Sequence, residues 1–529
     1  MKRFIKITLL STMLIAFSCT DLEDTLEDQH VTEFSNDGIS VGGGGGGGVL
    51  LAPFSRLRAG SATNTGFFAT NTVTGDDIAV TQKGGDWFDG GIWIQLHRHT
   101  YGSTHDRINE LWNDSYAGIG ECNTSLAAGT LDANQTAQVR ALRAYFYWRL
   151  LDGFGNVKLI TAPGADAPQS NRQAVFDFVE SELLAAVGIP AVTAVMDLSG
   201  SPLNTDISNY RINQYAALGI LAKLYLNAEV YTGTPRWSEA EWAATYILDN
   251  SPYQLCGVGC SVPNLAKRPD VDTDPETLEG YAAVFAPNNE NNPEIIWSIE
   301  YDQTGAGGMN FYVMTLHGPS QLTWGLDAQP WNGFVVLEEF YNSFEANDLR
   351  REANFLEGPQ TDFNGNPLLD YAADDDDLVI NYKPAINELE PNAIRDGGTR
   401  MKKFSFQLFG RQDMNNDYPI VRLGDVYLMR AEAAARAAAD WSLALPDVNV
   451  LRARAGLGDL LSIDAEGFLA ERGKEMFQES SRRIDLIRFG HYGDSWWEKT
   501  NNDAYRTIFP IPQAQLDASS GSLTQNPGY

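Results

Sequence analysis

Residues 139–150 read VRALRAYFYWRL, and residues 420–434 read IVRLGDVYLMRAEAA. In both stretches, apolar side chains recur at the three- and four-residue intervals of an α-helix, which gives each stretch one apolar face. The residues that form these faces are Val139, Leu142, Phe146 and Leu150 in the first stretch, and Ile420, Leu423, Tyr427, Ala431 and Ala434 in the second. Both stretches therefore predict helices that bury one face in a core.

The same periodicity predicts helices through much of the chain. These further helices are expected at 218–225 and near 106–127, 172–187, 237–249, 443–455 and 464–489. They tend to come in pairs with short connections, and Ala216, Ala217 and Tyr225 are spaced as in tetratricopeptide units. One such pair cannot bury its apolar face alone, so stacked pairs would share one superhelical core.

The composition changes between residues 252 and 415. Pro, Gly, Asn and Asp become frequent there, and strand-like runs such as 294–299 are short. This pattern predicts a large, loop-rich insertion on the helical scaffold. Loops held by a rigid frame are where binding residues most often lie.

Residues 1–18 have the features of an export signal, with Lys2, Arg3 and Lys6 ahead of an apolar stretch too short to span a bilayer. Residues 16–18 fit an ordinary small-x-small cleavage site, but Cys19 directly after the cut favours a lipoprotein that is lipidated on this thiol. Residues 19–50, first acidic and then rich in Gly, predict a solvated tether. No later run of about 18 apolar residues follows, so the lipid is the expected membrane contact.

The chain has 529 residues, with 38 Lys and Arg against 69 Asp and Glu and a formal net charge of −31 at pH 7. Such a negative field repels phosphate backbones, so nucleic acid is not expected as a partner. The sequence carries none of the Gly-x-Ser-x-Gly, His-Glu-x-x-His or Cys/His catalytic signatures. With so many carboxylates, the presence of two acids does not indicate catalysis.

The cysteines of the mature chain leave one question open. Cys256 and Cys260 flank a glycine-containing spacer, and in an exported protein they could form a disulfide or stay free. Cys122 is expected as a buried thiol. A zinc site would need two more soft ligands near this pair.

Histidines and acidic runs do not indicate a metal either. His97, His99 and His105 lack a carboxylate at a fixed helical offset, which favours structural or surface roles. The acidic run at 270–274 lacks the Gly and Glu of an EF-hand loop, which favours solvated loop acids. We therefore predict no metal and no other cofactor.

Four tryptophans, Trp87, Trp93, Trp324 and Trp331, lie in Gly- and Pro-rich surroundings. An indole exposed on a loop is costly unless it meets a ligand, and the apolar C–H faces of sugar rings stack well on it. The alternative is that these indoles pin their loops to the body of the protein.

Five sequence blocks carry a family resemblance. They are 140–148 (RALRAYFYW), 422–433 (RLGDVYLMRAEA), 482–490 (RRIDLIRFG), 509–513 (FPIPQ) and 523–529 (LTQNPGY). With these blocks in this order, the chain resembles the SusD/RagB family of outer-membrane lipoproteins of Bacteroidetes. The charges of Arg482, Arg483, Asp485 and Arg488 alternate along one helix, and we expect buried ion pairs that lock this helix to its neighbours, not ligand contacts.

The resemblance implies a mainly α fold, in which four tetratricopeptide-like helix pairs form a superhelix and an irregular insertion carries a sugar site. It also implies a surface-exposed lipoprotein of the outer membrane, without catalytic residues, that captures oligo- or polysaccharide and delivers it uncleaved to a SusC-like TonB-dependent transporter. The expected regions are the signal peptide 1–18, the lipidated tether 19–50, an N-terminal helical region 51–251, the loop-rich glycan-binding subdomain 252–415 and a C-terminal helical region 416–529.

By position, the resemblance assigns the glycan site to two regions that the family brings together. The assigned residues are Asp86, Trp87 and Asp89 from the N-terminal region, and Trp324 and Trp331 from the insertion. The stretch 85–91 (GDWFDGG), with His97 and His99, resembles relatives from marine bacteria that take up β-glucans such as laminarin. The acidic charge also favours a neutral glycan.

Two other functions remain as alternatives. An exported glycoside hydrolase would need two carboxylates about 5 to 10 Å apart beside a sugar cleft. A groove that reads a peptide backbone and has no exposed Trp would favour a relative that captures peptides or glycoproteins, whereas Trp87 and Trp324 facing one another would favour sugar.

Overall fold

The structure is a computed structural model that describes residues 47–207, 209–373 and 378–529. The signal peptide 1–18, the lipid-attachment residue Cys19 and the tether up to residue 46 lie outside the described residues, so their roles stay predictions. Residues 47–50, which composition assigns to the tether, begin the first helix, Gly47–Ser55. Within the described ranges, no helix is both long enough and apolar enough to cross a bilayer.

The fold is mainly α-helical, as predicted. The described helices are α1 (Gly47–Ser55), α2 (Gly66–Thr72), α3 (Ile92–His97), α4 (Asp106–Ala127), α5 (Ala133–Phe154), α6 (Arg172–Val187), α7 (Gln214–Leu226), α8 (Ala228–Thr232), α9 (Trp237–Asn250), α10 (Tyr281–Val284), α11 (Phe311–Thr315), α12 (Gln321–Trp324), α13 (Glu338–Asn342), α14 (Leu349–Asn354), α15 (Leu423–Ala438), α16 (Leu445–Arg454), α17 (Ala465–Met476), α18 (Arg482–Phe489) and α19 (Gln513–Ala518). Short 3-10 turns lie at Arg56–Arg58, Asp89–Gly91, Gly318–Ser320, Trp441–Ala444 and Ala504–Thr507.

The long helices form a continuous array of neighbours. α4 packs on α5, α5 on α6, α6 on α7, and α7 on α9. α9 then packs on α15, which follows it only after the whole insertion, and α15 packs on α16. The chain therefore leaves the helical array after α9, forms the loop-rich region, and returns to the array at α15.

Side-chain caps explain where several of these helices begin. Asp132 accepts a hydrogen bond from the backbone N–H of Gln135, whose side chain accepts one from the Asp132 N–H, a capping box ahead of α5. Asn171 and Asn213 cap α6 and α7 through their side-chain oxygens. α6 ends at Gly188, whose φ of 83° is free of strain for glycine.

The predicted charge locks of α18 are confirmed. Arg483 pairs with Asp152 of α5 at 2.6 Å, and Arg488 pairs with Glu432 of α15 at 2.7 Å. Arg482 pairs with Asp76, which precedes β1 (Ile78–Val80). These pairs join α18 to three distant parts of the chain, so α18 belongs to the scaffold.

Two predicted boundaries are wrong. The single helix expected at 464–489 is two helices, because Gln478 and Ser480 between them adopt left-handed φ values of 62° and 58°. Ile420 lies in strand β12 (Tyr418–Arg422), which pairs with β6 (Ile295–Ile299), and is not part of the helical face of α15. Cross-strand pairing overrides the helical spacing at this point.

The described strands are short and pair two by two, always antiparallel. The pairs are β1 (Ile78–Val80) with β7 (Phe334–Val336), β2 (Val157–Lys158) with β3 (Gln169–Ser170), β4 (Ser261–Pro263) with β5 (Thr277–Glu279), β6 (Ile295–Ile299) with β12 (Tyr418–Arg422), β8 (Phe355–Leu356) with β11 (Arg400–Met401), and β9 (Gly358–Pro359) with β10 (Asn381–Tyr382). The strand predicted at 294–299 is present as β6.

The open question about the cysteines has an answer. Cys256 and Cys260 form a disulfide that closes a small loop immediately before β4. Cys122 is a buried free thiol, as predicted.

Candidate functional site

A small antiparallel sheet brings two distant parts of the chain together. β1 pairs with β7 in the register Ile78↔Val336 and Val80↔Phe334, and every residue of both strands is buried. The segment after β1 therefore lies beside the segment before β7. Their backbones also bond directly, since the Trp87 N–H donates to the Trp331 carbonyl at 3.3 Å.

The side chains at this junction form an aromatic cluster that runs from the core to the surface. The Trp87 ring lies 5.0 Å from Trp331 and 5.2 Å from Trp93, both edge-on, and 5.8 Å from Phe334 in a stacked arrangement. Trp93 and Phe334 are fully buried, whereas Trp87 and Trp331 are partly exposed. We call these two outer rings, Trp87 and Trp331, the indole pair.

Gly333 lets the indole of Trp87 lie against the backbone. A Cβ atom at position 333 would lie 2.4 Å from the Trp87 ring, closer than real contacts permit. Any side chain at this position would push Trp87 away from Trp331. The Trp-Asn-Gly order at 331–333 is thus part of how the indole pair is built.

Asp86 is held by two partners from the other side of the junction. Its carboxylate accepts a hydrogen bond from the Asn332 amide at 2.8 Å and forms an ion pair with Arg395 at 2.9 Å. Arg395 also binds Asp370 at 2.6 Å and donates to the Lys83 carbonyl. The guanidinium therefore fixes the start of the loop that carries Trp87.

Asp370 stays ionised in this arrangement. Burial alone would raise the pKa of this carboxyl, but the His317 ring at 3.6 Å and the hydrogen-bonded Arg395 guanidinium at 2.6 Å hold the pKa well below its usual range. A group in this state is a hydrogen-bond acceptor and a counter-ion.

Basic side chains collect behind the indole pair, although the sequence gives no sign of such a cluster. Lys83 is fully buried, donates to the carbonyls of Asn332 and Gly333 at 2.9 and 2.8 Å, and has a pKa that burial lowers well below its usual value. The buried Arg400 donates to the Asn332 side-chain oxygen and stacks on the Tyr382 ring. The donor groups of these two side chains hold main-chain and amide oxygens in place.

Asp89 lies at the exposed tip of the same loop. Asp89, Gly90 and Gly91 have left-handed φ values of 50°, 63° and 88°, which explains two consecutive glycines at this turn. The Asp89 carboxylate faces solvent. It is available to accept hydrogen bonds from a hydroxyl-bearing ligand beside Trp87.

Of the two roles considered for the tryptophans among Gly and Pro residues, the structure supports core packing for Trp93 and Trp324, so the assignment of Trp324 to the glycan site is not supported. Trp93 lies in α3 and is fully buried, and Trp324 lies at the end of α12 with 7% of its surface exposed. The Trp324 ring packs edge-on against Phe406 at 5.3 Å. Gly and Pro neighbours indicated irregular backbone at these two positions, but both tryptophans lie in short helices that pack into the core.

The three histidines after the indole-pair loop are structural. His97, His99 and His105 each place Nε2 within 3.0 Å of a main-chain carbonyl, those of Trp497, Thr74 and Ile92. Burial lowers the pKa of His97 to about 4 and that of His99 to about 3, so both rings are neutral at pH 7. The described residues contain no group of three or more His, Cys, Asp or Glu side chains arranged to hold a metal ion.

The acidic run at 270–274 also has a structural role. Asp272 pairs with Arg268, which donates in turn to the Thr361 and Asp362 carbonyls. The pairing ties this loop to the neighbouring turn at 361–366.

The chain matches two family models. One is described as "SusD family" and matches residues 293–529, and the other is described as "Starch-binding associating with outer membrane" and matches residues 68–226. Together the two matches include β1, β7 and the helices of both ends of the array.

Individual relatives are also similar to the chain at low identity, and the solved structures among them share its fold. The starch-binding protein SusD of Bacteroides thetaiotaomicron is 24% identical over 442 residues, which cover 75% of this chain and 73% of that protein. A solved structure of a laminarin-binding SusD-like protein matches with a TM-score of 0.67 and 23% identity, covering 91% of this chain and 98% of that one. Surface glycan-binding protein A from Bacteroides thetaiotaomicron in complex with laminarihexaose matches with a TM-score of 0.67 and 21% identity, covering 90% and 98%.

Proposed function

The chain belongs to the SusD family of glycan-binding proteins, and on this premise we propose that it captures a neutral glycan at the cell surface and passes it uncleaved to a TonB-dependent transporter of the SusC type. The observation that carries the proposal is the indole pair, two partly exposed tryptophans set edge to face at 5.0 Å. Such rings offer apolar faces to the C–H groups of sugars.

The five assigned residues take different parts in this proposal. Trp87 and Trp331 stack on sugar rings, and the exposed Asp89 accepts hydrogen bonds from hydroxyls. Asp86 is a positioning residue, because its carboxylate is already bound by Asn332 and Arg395. Trp324 supports the neighbouring loops from the core.

The contacts of the basic residues behind the indole pair favour a neutral ligand. Arg395 binds two carboxylates. Lys83 and Arg400 donate to backbone carbonyls, and Arg400 also donates to the Asn332 side chain. The donor groups of all three side chains therefore point into the protein. A carboxylated or sulfated glycan would need cations that face outwards. Two of the similar structures are described as laminarin-binding or as a laminarihexaose complex, which supports a β-glucan.

The proposed location is the outer membrane, through a lipid on Cys19. One matching family model is described as associating with the outer membrane, and the signal features of residues 1–19 support the same location. The transporter partnership rests on the family resemblance and would be tested by co-purification from membranes with the lipidated full-length chain.

Affinity electrophoresis tests the proposal directly. The mature protein, residues 20–529, is run in gels that contain laminarin, other neutral glucans, mannan, xylan or alginate, beside a gel without glycan. Retardation in a neutral-glycan gel alone is the expected result. Free migration in every gel would contradict the proposal and shift attention to peptide capture.

The carboxylate of Asp370 near the indole pair argues against the alternative function, a glycoside hydrolase. A glycosidase needs a carboxylic acid with a raised pKa as a proton donor, whereas the pKa of Asp370 lies below its usual range. We expect a reducing-end assay with the mature protein to show no steady release of sugar. Steady release that scales with protein concentration would overturn binding without cleavage.

Replacement of Arg395 by alanine is expected to weaken glycan affinity roughly fivefold, because about 1 kcal/mol of preorganisation of the Trp87 loop is lost. Lysine at this position keeps the charge but cannot bridge Asp86 and Asp370 with a planar guanidinium. The glycan affinity of Arg395→Lys should therefore lie between those of the wild type and Arg395→Ala. Isothermal titration measures the affinity. Wild-type affinity in Arg395→Ala would exclude the positioning role.

Replacement of Trp324 by alanine is expected to cost about 3 to 5 kcal/mol of stability, because the indole is almost fully buried against Phe406. The remaining folded protein should bind glycan with nearly unchanged affinity. Urea unfolding combined with titration below the transition separates the two effects. A stable variant that has lost binding would mean that Trp324 contacts the ligand.

A further inference from the structure

A second apolar surface lies in the insertion and shares no residue with the indole pair. It consists of Phe409, Leu322 and Leu265, which are 67%, 50% and 39% exposed, and the partly buried Phe363. The two phenyl rings lie 5.7 Å apart at an interplanar angle of 43°. We call these four residues the phenyl surface.

Main-chain hydrogen bonds hold Phe409 in its outward position. The Leu408 N–H donates to Leu265, the Phe409 N–H donates to Trp324 at 2.7 Å, and the Gly410 carbonyl accepts from Asp327. The ring of Phe409 lies over Gly325, where a Cβ atom would come within 2.6 Å of it. The backbone hydrogen bonds and the contact with Gly325 therefore fix this ring in its exposed position.

Two separate costs accompany this arrangement. Phe409 has a φ of 57°, a left-handed conformation that is strained for a bulky residue. Its ring also leaves apolar area in water that burial would remove. A glycine or asparagine would avoid the first cost and a polar side chain the second, so the presence of phenylalanine here favours a ligand contact.

The size of the surface decides between classes of ligand. Its four side chains expose on the order of 300 Å² of apolar area, given the 150 to 250 Å² of a whole aromatic side chain. A stable protein interface needs roughly 800 Å² on each partner. Sugar rings are small enough for this surface, and the exposed amide of Asn364 in the adjoining turn can exchange hydrogen bonds with hydroxyls.

The backbone connects this surface to the indole pair over a short distance. Phe409 bonds to Trp324, and only residues 325–330 separate Trp324 from Trp331. Seven residue steps span at most roughly 25 Å, which a polymeric glycan can bridge. We propose, on the basis of the proposed function, that the phenyl surface is a second contact for the same neutral glycan chain, engaged only by polymers long enough to reach it from the indole pair.

The variant Phe409→Asn tests the inference, because asparagine tolerates the left-handed backbone while the ring is removed. Laminarin and laminaritriose are the polymeric and short probes, measured by titration on wild type, Phe409→Asn, Phe363→Ala and Trp87→Ala. We expect Phe409→Asn to lower the affinity for laminarin about tenfold, to leave the affinity for laminaritriose within twofold, and to melt no lower than the wild type. Trp87→Ala should lose both ligands.

Other outcomes overturn the inference in distinguishable ways. Unchanged laminarin affinity in both phenyl variants, with loss in Trp87→Ala, would remove the second contact and keep the proposed function. Equal loss of laminarin and laminaritriose would make the phenylalanines part of one site. A wild type that binds neither probe and no glycan gel would overturn the proposed function together with this extension.

Discussion

Alanine at position 87 is expected to abolish retention in a glycan gel. Trp87 lies between the buried Trp93 and Phe334 and the partly exposed Trp331, so its loss removes one sugar platform and withdraws support from the other. Stacking on aromatic rings is worth about 1 to 3 kcal/mol per ring in the comparable case of nucleobases. Loss of both rings of the pair would lower affinity by about one and a half to four orders of magnitude.

Some loss of stability will accompany this change, since Trp87 is partly buried, and a matched control separates the two effects. Trp441 is also partly buried, packs on Phe468 and Phe489, and lies in the C-terminal helical region. Trp441→Ala should lower the melting temperature comparably and leave retention intact. If Trp87→Ala migrated like the wild type in the glycan gel with a native melting curve, the binding site would lie elsewhere.

A loss of stability as large as that of Trp324→Ala is expected from Arg422→Ala. The Arg422 guanidinium is 1% exposed and pairs with Glu294 at 2.9 Å, Glu475 at 2.8 Å and Glu479 at 2.7 Å. Burial alone would raise the pKa of Glu475, but Arg454, Arg422 and Arg350 hold it well below its usual range, so the carboxylate stays charged. Removing one partner of a buried ion pair typically costs about 3 to 5 kcal/mol.

Chemical unfolding measures this effect against an exposed pair. Arg56 pairs with Glu121 at 3.0 Å, with 49% and 30% of the side chains exposed, and Arg56→Ala should cost less than about 1 kcal/mol. A wild-type unfolding midpoint in Arg422→Ala would mean that neighbouring cations such as Arg454 compensate fully. That result would contradict the role of Arg422 as the centre of the buried charge cluster.

The scaffold could be predicted because its determinants are local. Apolar side chains at helical spacing, and alternating charges such as those of residues 482–488, depend on neighbours a few positions apart. The break at Gln478 was not visible, because it lets Glu475 and Glu479 both reach Arg422, a residue that lies more than fifty positions earlier.

The site could be predicted only in part, because its contacts join residues that are far apart in the sequence. Trp87 and Trp331 stand out as tryptophans among glycines and prolines, and the structure brings them together. The same surroundings describe Trp324, which is buried, because glycine and proline report backbone shape and carry no information on solvent exposure. Arg395 and Asn332 were missed, since their partner Asp86 lies hundreds of positions away and no spacing connects them.

The hydrogen bond between Asn332 and Asp86 spans 246 positions of the chain. A contiguous fragment that contains both Trp87 and Trp331 must therefore include the whole segment between them. A chain truncated before Trp331 during synthesis, or cut between residues 252 and 330 and then separated, would retain many of its helices and yet lack one half of the indole pair. Glycan retention therefore doubles as an assay of chain integrity, and two co-expressed halves divided within the loop-rich region should regain it only by reassociating.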